Sequence, residues 1–174
     1  LLQMIQMKSY HLYTHSIQVS NYAVSIASKM GLPLNEIEQI RDAALLHDLG
    51  LLMVPNALLQ KSPYLNKQEM SKYKQHAASG ANMIENYPCC QQILPYIRYH
   101  HEKWDGSGYP KHLRGANIPL GARIIAVADY YDTTVNPSTE FWAKTKAKAK
   151  EEIFSASGSL FDPDVVKAFI DVLG

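Results

Sequence analysis

Apolar residues recur at helical spacing along nearly the whole chain, and no run alternates in the manner of a strand. Ile17, Tyr22, Ile26 and Met30 mark one face of a first helix, which Gly31 and Pro33 stop. Asn35 can cap a second, running through Ile37, Ile40 and Leu45 to Leu49 and ended by Gly50. Asn66 with Glu69 reads as a capping box for a third, which carries Met70, Tyr73, His76, Met83 and Ile84. A fourth covers 91–101. Residues 103–117 are rich in Gly, Pro and charge, a long loop of the kind that is usually functional. A fifth helix follows Pro119 and contains Ala126, Asp129 and Asp132, and a sixth spans 140–154, with the lysines at 144, 146, 148 and 150 on a solvated face. Asp162 before Pro163 caps a short last helix. The expectation is one all-α domain over residues 1–174, a bundle of about six or seven helices.

The 174 residues suffice for one domain with a real core. A formal net charge of +1 supplies no field for DNA or a membrane surface, so a small anionic ligand must be held by local groups. Cys89 and Cys90 are adjacent and make no disulfide framework, which reads as a reduced, cytoplasmic protein. No apolar stretch approaches the roughly 18 residues of a membrane span, and no signal peptide is visible. Leu1 in place of an initiating Met suggests that sequence lies upstream.

Histidines and aspartates are set among apolar helical residues. His47 and Asp48 adjoin at the end of Ala44-Leu45-Leu46, and His100 and His101 adjoin at the end of another helix. His15 and His76 lie within helices, and Asp129 follows Ala126-Val127-Ala128. A single helical histidine is more often structural or solvent-facing. Several, placed in this way beside carboxylates, would be costly to bury unless something compensates, and metal ions would do so. Five imidazoles with two carboxylates are too rich in nitrogen for Mg²⁺ or Ca²⁺ and suit iron, manganese, zinc or nickel. They are too many for one four-coordinate zinc. Two ions about 3.5–4 Å apart sharing a carboxylate would use them all.

His47-Asp48 resembles the defining pair of the HD phosphohydrolase superfamily. The run His100-His101-Glu102-Lys103-Trp104-Asp105-Gly106-Ser107-Gly108-Tyr109-Pro110 resembles the signature of its HD-GYP branch. Supporting matches extend from His15-Ser16 through Ile118–Ile124 and Val127-Ala128-Asp129 to Phe161-Asp162-Pro163, covering almost the whole chain. The resemblance implies an HD-domain helical bundle that hydrolyses cyclic di-GMP or a related cyclic dinucleotide. It implies two divalent transition metals, iron or manganese foremost, with zinc or nickel as alternatives. His15, His47, Asp48 and Asp129 would hold one ion and His76, His100 and His101 the other, with Asp48 bridging. Asp48 and Asp129 would be catalytic, and a metal-activated water would attack phosphorus in line with the leaving ribose oxygen. Gly108, Tyr109, Asp132 and Lys61 are candidate substrate contacts, Tyr109 through a base or a phosphate or else as a structural anchor of the loop. Where some members bind a third metal through a glutamate, this chain has His11, either a ligand or a surface residue, and His112 matches no ligand position. The resemblance also implies an upstream sensor in a longer signalling protein and allows a homodimer.

Three positions depart from the family pattern. Leu51 stands where a phosphate-contacting lysine is usual, Ser138-Thr139-Glu140-Phe141 where an Arg-Pro-Tyr-Arg segment is usual, and Gln18 where an arginine is usual. Each missing charge-assisted contact is worth roughly 1.5–3 kcal/mol of binding. Lys61, Arg98, Lys103, Arg114 and Lys144 are candidates to replace them. Two functions follow: a metal-dependent phosphodiesterase, or a weakly catalytic domain that binds metal and nucleotide as a signalling module. Leu51→Lys is expected to strengthen substrate binding if the helix end directs the amine toward the metals.

Overall fold

The computed structural model describes residues 1–61, 64–137 and 143–174. Ser138, Thr139, Glu140 and Phe141 lie outside the described residues, as does the predicted start of the sixth helix. Among the described residues the chain is all-α. Its elements are α1 (Leu2–Lys8), α2 (Tyr10–Lys29), α3 (Leu34–Leu46), α4 (Asn56–Lys61), α5 (Lys67–Lys74), α6 (His76–Ile84), α7 (Leu94–Tyr99), α8 (Leu120–Val135), α9 (Lys146–Ser155) and α10 (Pro163–Leu173). The nearest thing to a strand is an isolated bridge between Ser157 and Phe161. Among the described residues no helix is long and apolar enough to cross a membrane.

The predicted caps form except at Asn35, which lies inside the first turn of α3: that helix starts from Pro33 with no side-chain cap. α2 ends where Gly31 takes φ 74°, and Leu32 N–H reaches back to Ala27 O at 3.1 Å, closing a Schellman motif. Asn66 and Glu69 make the reciprocal capping box of α5. Asp162 accepts from Asp164 N at 2.8 Å at the start of α10. Lys144 and Lys148 pair with Glu152 and Glu151 on an exposed face of α9.

Three helices differ from the sequence expectation: the fourth is shorter, Leu94–Tyr99, so His100 and His101 follow its end, and the other two differences shape the site. The second helix stops at Leu46 rather than Leu49, and Leu49–Met53 form a 3-10 turn. Gly50 is not a terminator: a Cβ there would lie 2.0 Å from His76 O and 2.7 Å from Gly80 N, so glycine lets the turn press directly on α6. The third helix breaks at Gln75 into α5 and α6, which frees the last carbonyls of α5. The more numerous elements come from these breaks and from the short helices α1 and α4.

The core lies between α2, α3, α8 and α10. Val19, Ala23 and Ile26 of α2 meet Ile40 and Ala44 of α3, and Ile124, Val127 and Tyr131 of α8. Tyr22, Tyr131 and Phe169 pack edge to face, with centroids 5.0 Å apart for Tyr22–Tyr131 and Tyr131–Phe169. α8 is buried from Ile124 to Ala128 without interruption, and the next residue, Asp129, carries a half-buried carboxylate.

Candidate metal centre

Three of the site histidines sit where a helix runs out of partners. The last carbonyls of a helix have no intrahelical donor. His47, His76 and His100 each donate Nδ1–H to one of these, three residues back: Ala44 O, Tyr73 O and Ile97 O, each at 2.7 Å. A carbonyl only accepts, so the proton is on Nδ1 and the Nε2 lone pair points inward. His47 Nε2 and His100 Nε2 are buried without a hydrogen-bond partner among the described residues. His101 Nε2 and His76 Nε2 face each other at 3.1 Å. Buried lone pairs of this kind are costly unless an electrophile meets them. A metal ion fits, because imidazole ligands fixed through their other nitrogen are the usual arrangement.

The carboxylates complete the set. Asp48 directs Oδ1 to His76 Nε2 at 3.3 Å, and Oδ2 to His47 Nε2 at 3.5 Å and His15 Nε2 at 3.9 Å. Its two oxygens therefore face two histidine groups. Asp129 Oδ1 lies 3.2 Å from His15 Nε2. Three sets of potential ligand atoms have all members within 4.8 Å of one another: His15, His47 and Asp129; His76, His100 and His101; and His47, Asp48 and His100. All seven ligand residues expected from the sequence are thus brought together. The two carboxylates and five imidazoles favour a divalent transition ion over Mg²⁺ or Ca²⁺.

Electrostatics divide the cluster. Burial, with His47 and His76 nearby, pushes His100 down to about 3. Burial, with His100 and His76, holds His101 well below the ordinary imidazole value. Burial also opposes charge on His15, but hydrogen bonds with Asp129 and Asp132 outweigh it and raise that imidazole to about 10. His76 is raised in the same way by Asp48. Asp48 and Asp129 lie below the usual carboxylate range, since the surrounding histidines outweigh burial.

The long loop closes one side. Glu102, 2% exposed, accepts from Lys111 N at 2.6 Å and Leu113 N at 3.0 Å. Trp104 N and Asp105 N donate to Leu160 O and Ser159 O, tying the loop to the segment before α10. Sequence reasoning gave Glu102 no role, although a glutamate directly after a ligand pair and before a Gly-rich loop is a signal for an anchor. Tyr109 packs its ring on His101, centroids 4.8 Å apart, and Lys74 lies over the same ring at 4.9 Å. Little of the ring remains for a nucleobase, so the hydroxyl is what Tyr109 offers. Tyr73 stands against His76 with centroids 5.2 Å apart, a neighbour the sequence did not mark.

Other expected substrate contacts are placed differently. Gly108 is buried, and a Cβ there would lie 2.3 Å from Lys103 N, so it packs the loop on itself. Asp132, 1% exposed, accepts from His15 Nδ1 at 2.7 Å behind the cluster. Lys61 is paired with Glu69 at 2.7 Å. Of the other replacement cations, Arg98 donates to Asn82, Lys144 is held by Glu152 and Arg114 is exposed. Lys103 is the one whose ammonium is partly enclosed and feels Asp129. Leu51 is 2% exposed. His11 is exposed and joins none of the three ligand sets among the described residues, and His112 is exposed.

Comparison with known proteins agrees with this geometry. A family model described as HD domain matches residues 1–165. A cyclic di-GMP phosphodiesterase of Thermotoga maritima is 36% identical over 160 residues, covering 91% of this chain and 44% of that protein. A cyclic di-GMP phosphodiesterase response regulator of Xanthomonas campestris is 37% identical over 158 residues, covering 88% and 41%. A 3'3'-cGAMP-specific phosphodiesterase of Vibrio cholerae is 30% identical over 169 residues, covering 96% and 32%. The chain spans less than half the length of these curated relatives. Among solved structures, an HDGYP protein from Bdellovibrio bacteriovorus superposes with a TM-score of 0.74 at 22% identity, covering 91% of this chain and 51% of that one. The HD domain of a Listeria monocytogenes phosphodiesterase in complex with cyclic di-AMP superposes with a TM-score of 0.71 at 21% identity, covering 99% and 92%. The chain belongs to the HD domain family and bears, at residues 100–110, the signature of its HD-GYP branch.

Proposed function

We propose that this chain is a metal-dependent phosphodiesterase domain that hydrolyses cyclic di-GMP or a related cyclic dinucleotide. The observation that carries the reading is the convergence of five histidines and two aspartates, with His47 Nε2 and His100 Nε2 buried and unpartnered. His15, His47, Asp48 and Asp129 would hold one divalent transition ion, iron or manganese foremost. His76, His100 and His101 would hold a second, with Asp48 between. Ions so held acidify water and offset charge on phosphoryl oxygens.

The chain's own groups do the rest. Nδ1–H bonds to Ala44 O, Tyr73 O and Ile97 O keep three imidazoles aimed, Nε2 inward, before substrate arrives. Asp48 and Asp129 are the carboxylates that would hold the ions and orient a water bound to them. The Lys103 ammonium, which lies over the Phe161 ring at 5.3 Å and feels Asp129, and the Tyr109 hydroxyl are the loop groups that would meet an anionic substrate. The Glu102 carboxylate, accepting from Lys111 N and Leu113 N, would hold that loop in place beside the centre.

A second reading, a metal- and nucleotide-binding signalling module of low turnover, is favoured by Leu51 and by the engagement of Lys61, Arg98 and Lys144 with other side chains. One experiment separates them. Protein purified without chelator is analysed for metal, then assayed on cyclic di-GMP, 3'3'-cGAMP and cyclic di-AMP with products resolved. The enzyme reading expects about two transition metals per chain and multiple turnovers on at least one substrate. Asp48→Ala is expected to lose most of the metal and all turnover. Full metal in wild type with nucleotide binding and no turnover would establish the module instead.

A further inference from the structure

His15 differs from its partners in position. It lies in the middle of α2, where carbonyls three and four residues back are already used by the helix. His47, His76 and His100 each find a spare carbonyl at a helix end, and His15 has none. Its Nδ1 instead meets Asp132 Oδ2, 2.7 Å away on α8. Asp132 is 1% exposed, and its other oxygen accepts from Asn136 Nδ2 at 2.8 Å, one turn along the same helix. Asn136 is the C-cap residue of α8, and its backbone N–H also returns to Asp132 O at 2.7 Å.

We infer that Asp132 is a positioning residue for the metal centre, acting through His15, with Asn136 fixing the carboxylate. The inference rests on the proposed metal-dependent function and goes beyond it. A hydrogen bond from Nδ1–H to a carboxylate sets the tautomer, aims Nε2 at the ion and raises the basicity of the ligand. The cluster is therefore unequal. His15 is backed by an anion from another helix, and His47, His76 and His100 rest on neutral carbonyls three residues back. The effect of losing Asp132 is expected in one of two metal-binding steps.

The test titrates Co²⁺ into metal-free protein and follows visible absorption, alongside melting of the metal-free form. Wild type is expected to show two binding steps. Asp132→Asn keeps the shape, and is expected to weaken one step by about tenfold to a hundredfold while leaving the other. In that variant the amide cannot offer an oxygen to both His15 and Asn136, since Asn136 presents an NH₂. The double exchange Asp132→Asn with Asn136→Asp restores an acceptor toward His15 and a donor toward position 136. It is expected to recover much of the lost affinity, which a purely structural role in α8 would not predict. Unchanged binding in Asp132→Asn, equal weakening of both steps, or no recovery in the double exchange would overturn the inference. Absence of any Co²⁺ binding by wild type would overturn the metal-dependent function itself.

Discussion

A lysine at position 51 would enter the 3-10 turn three residues after Asp48, where Leu51 is 2% exposed. From the sequence alone, Leu51→Lys promised a restored phosphate contact. The burial adds a cost, because the ammonium has no water unless a substrate phosphate or a carboxylate meets it. The metal-free variant is expected to lose roughly 1–3 kcal/mol from crowding, and more from the buried charge. Urea midpoints measured with and without cyclic di-GMP check this. The nucleotide should stabilise the variant more than wild type, and equal stability of the two free proteins would mean that the position is open.

At the scale of elements, the site depends on how closely the Leu49–Met53 turn lies against α6. Gly50 and Gly80 meet backbone to backbone, and neither His76 O nor Gly80 N can yield as a flexible side chain would. Gly50→Ala must therefore push α6 away from the end of α3. It is expected to cost about 3 kcal/mol or more, beyond ordinary overpacking. Because His76 opens α6, the metal content of the His76–His100–His101 half should fall with it. Normal stability with two metals retained would show that the contact can relax cheaply.

For the whole molecule, the histidines predict pH responses that part above pH 6.5 with and without metal. In the metal-free chain His100 and His101 lie below 6.5, so the unfolded chain takes up more protons as pH falls through 6.5, and stability declines. His15 and His76 lie above 6.5, so their contribution is full below that value and is lost as pH rises, for His15 through about 10. Metal-free stability should therefore peak near pH 6.5. In the loaded protein every imidazole ligand is held deprotonated, so stability rises through 6.5 and does not fall between 6.5 and 10 on their account. Melting temperatures across pH 5–10, with and without chelator, test this. Parallel curves for the two forms would refute it.

Much of this was legible in the sequence because it is local. Helical spacing, the Asn66–Glu69 box, the stop at Gly31 and the Asp162-Pro163 start depend on residues within a turn of one another. Four of the seven expected ligand positions were legible through the HD pair and the 100–110 run, and His15 and Asp129 through the His15-Ser16 and Val127-Ala128-Asp129 matches, all of them short strings. Tertiary structure decided the rest. Asp132 reads as a helical carboxylate one turn beyond Asp129, and only the packing of α8 on α2 turns it toward His15, 117 residues away. Gly50 reads as a helix stop, and only the approach of α6 makes it a packing contact. Lys61 reads as a free cation until Glu69 folds against it. Local strings specify caps and ligand types because their partners are fixed by chain connectivity. Second partners across the bundle are chosen by how helices pack, which no short string encodes.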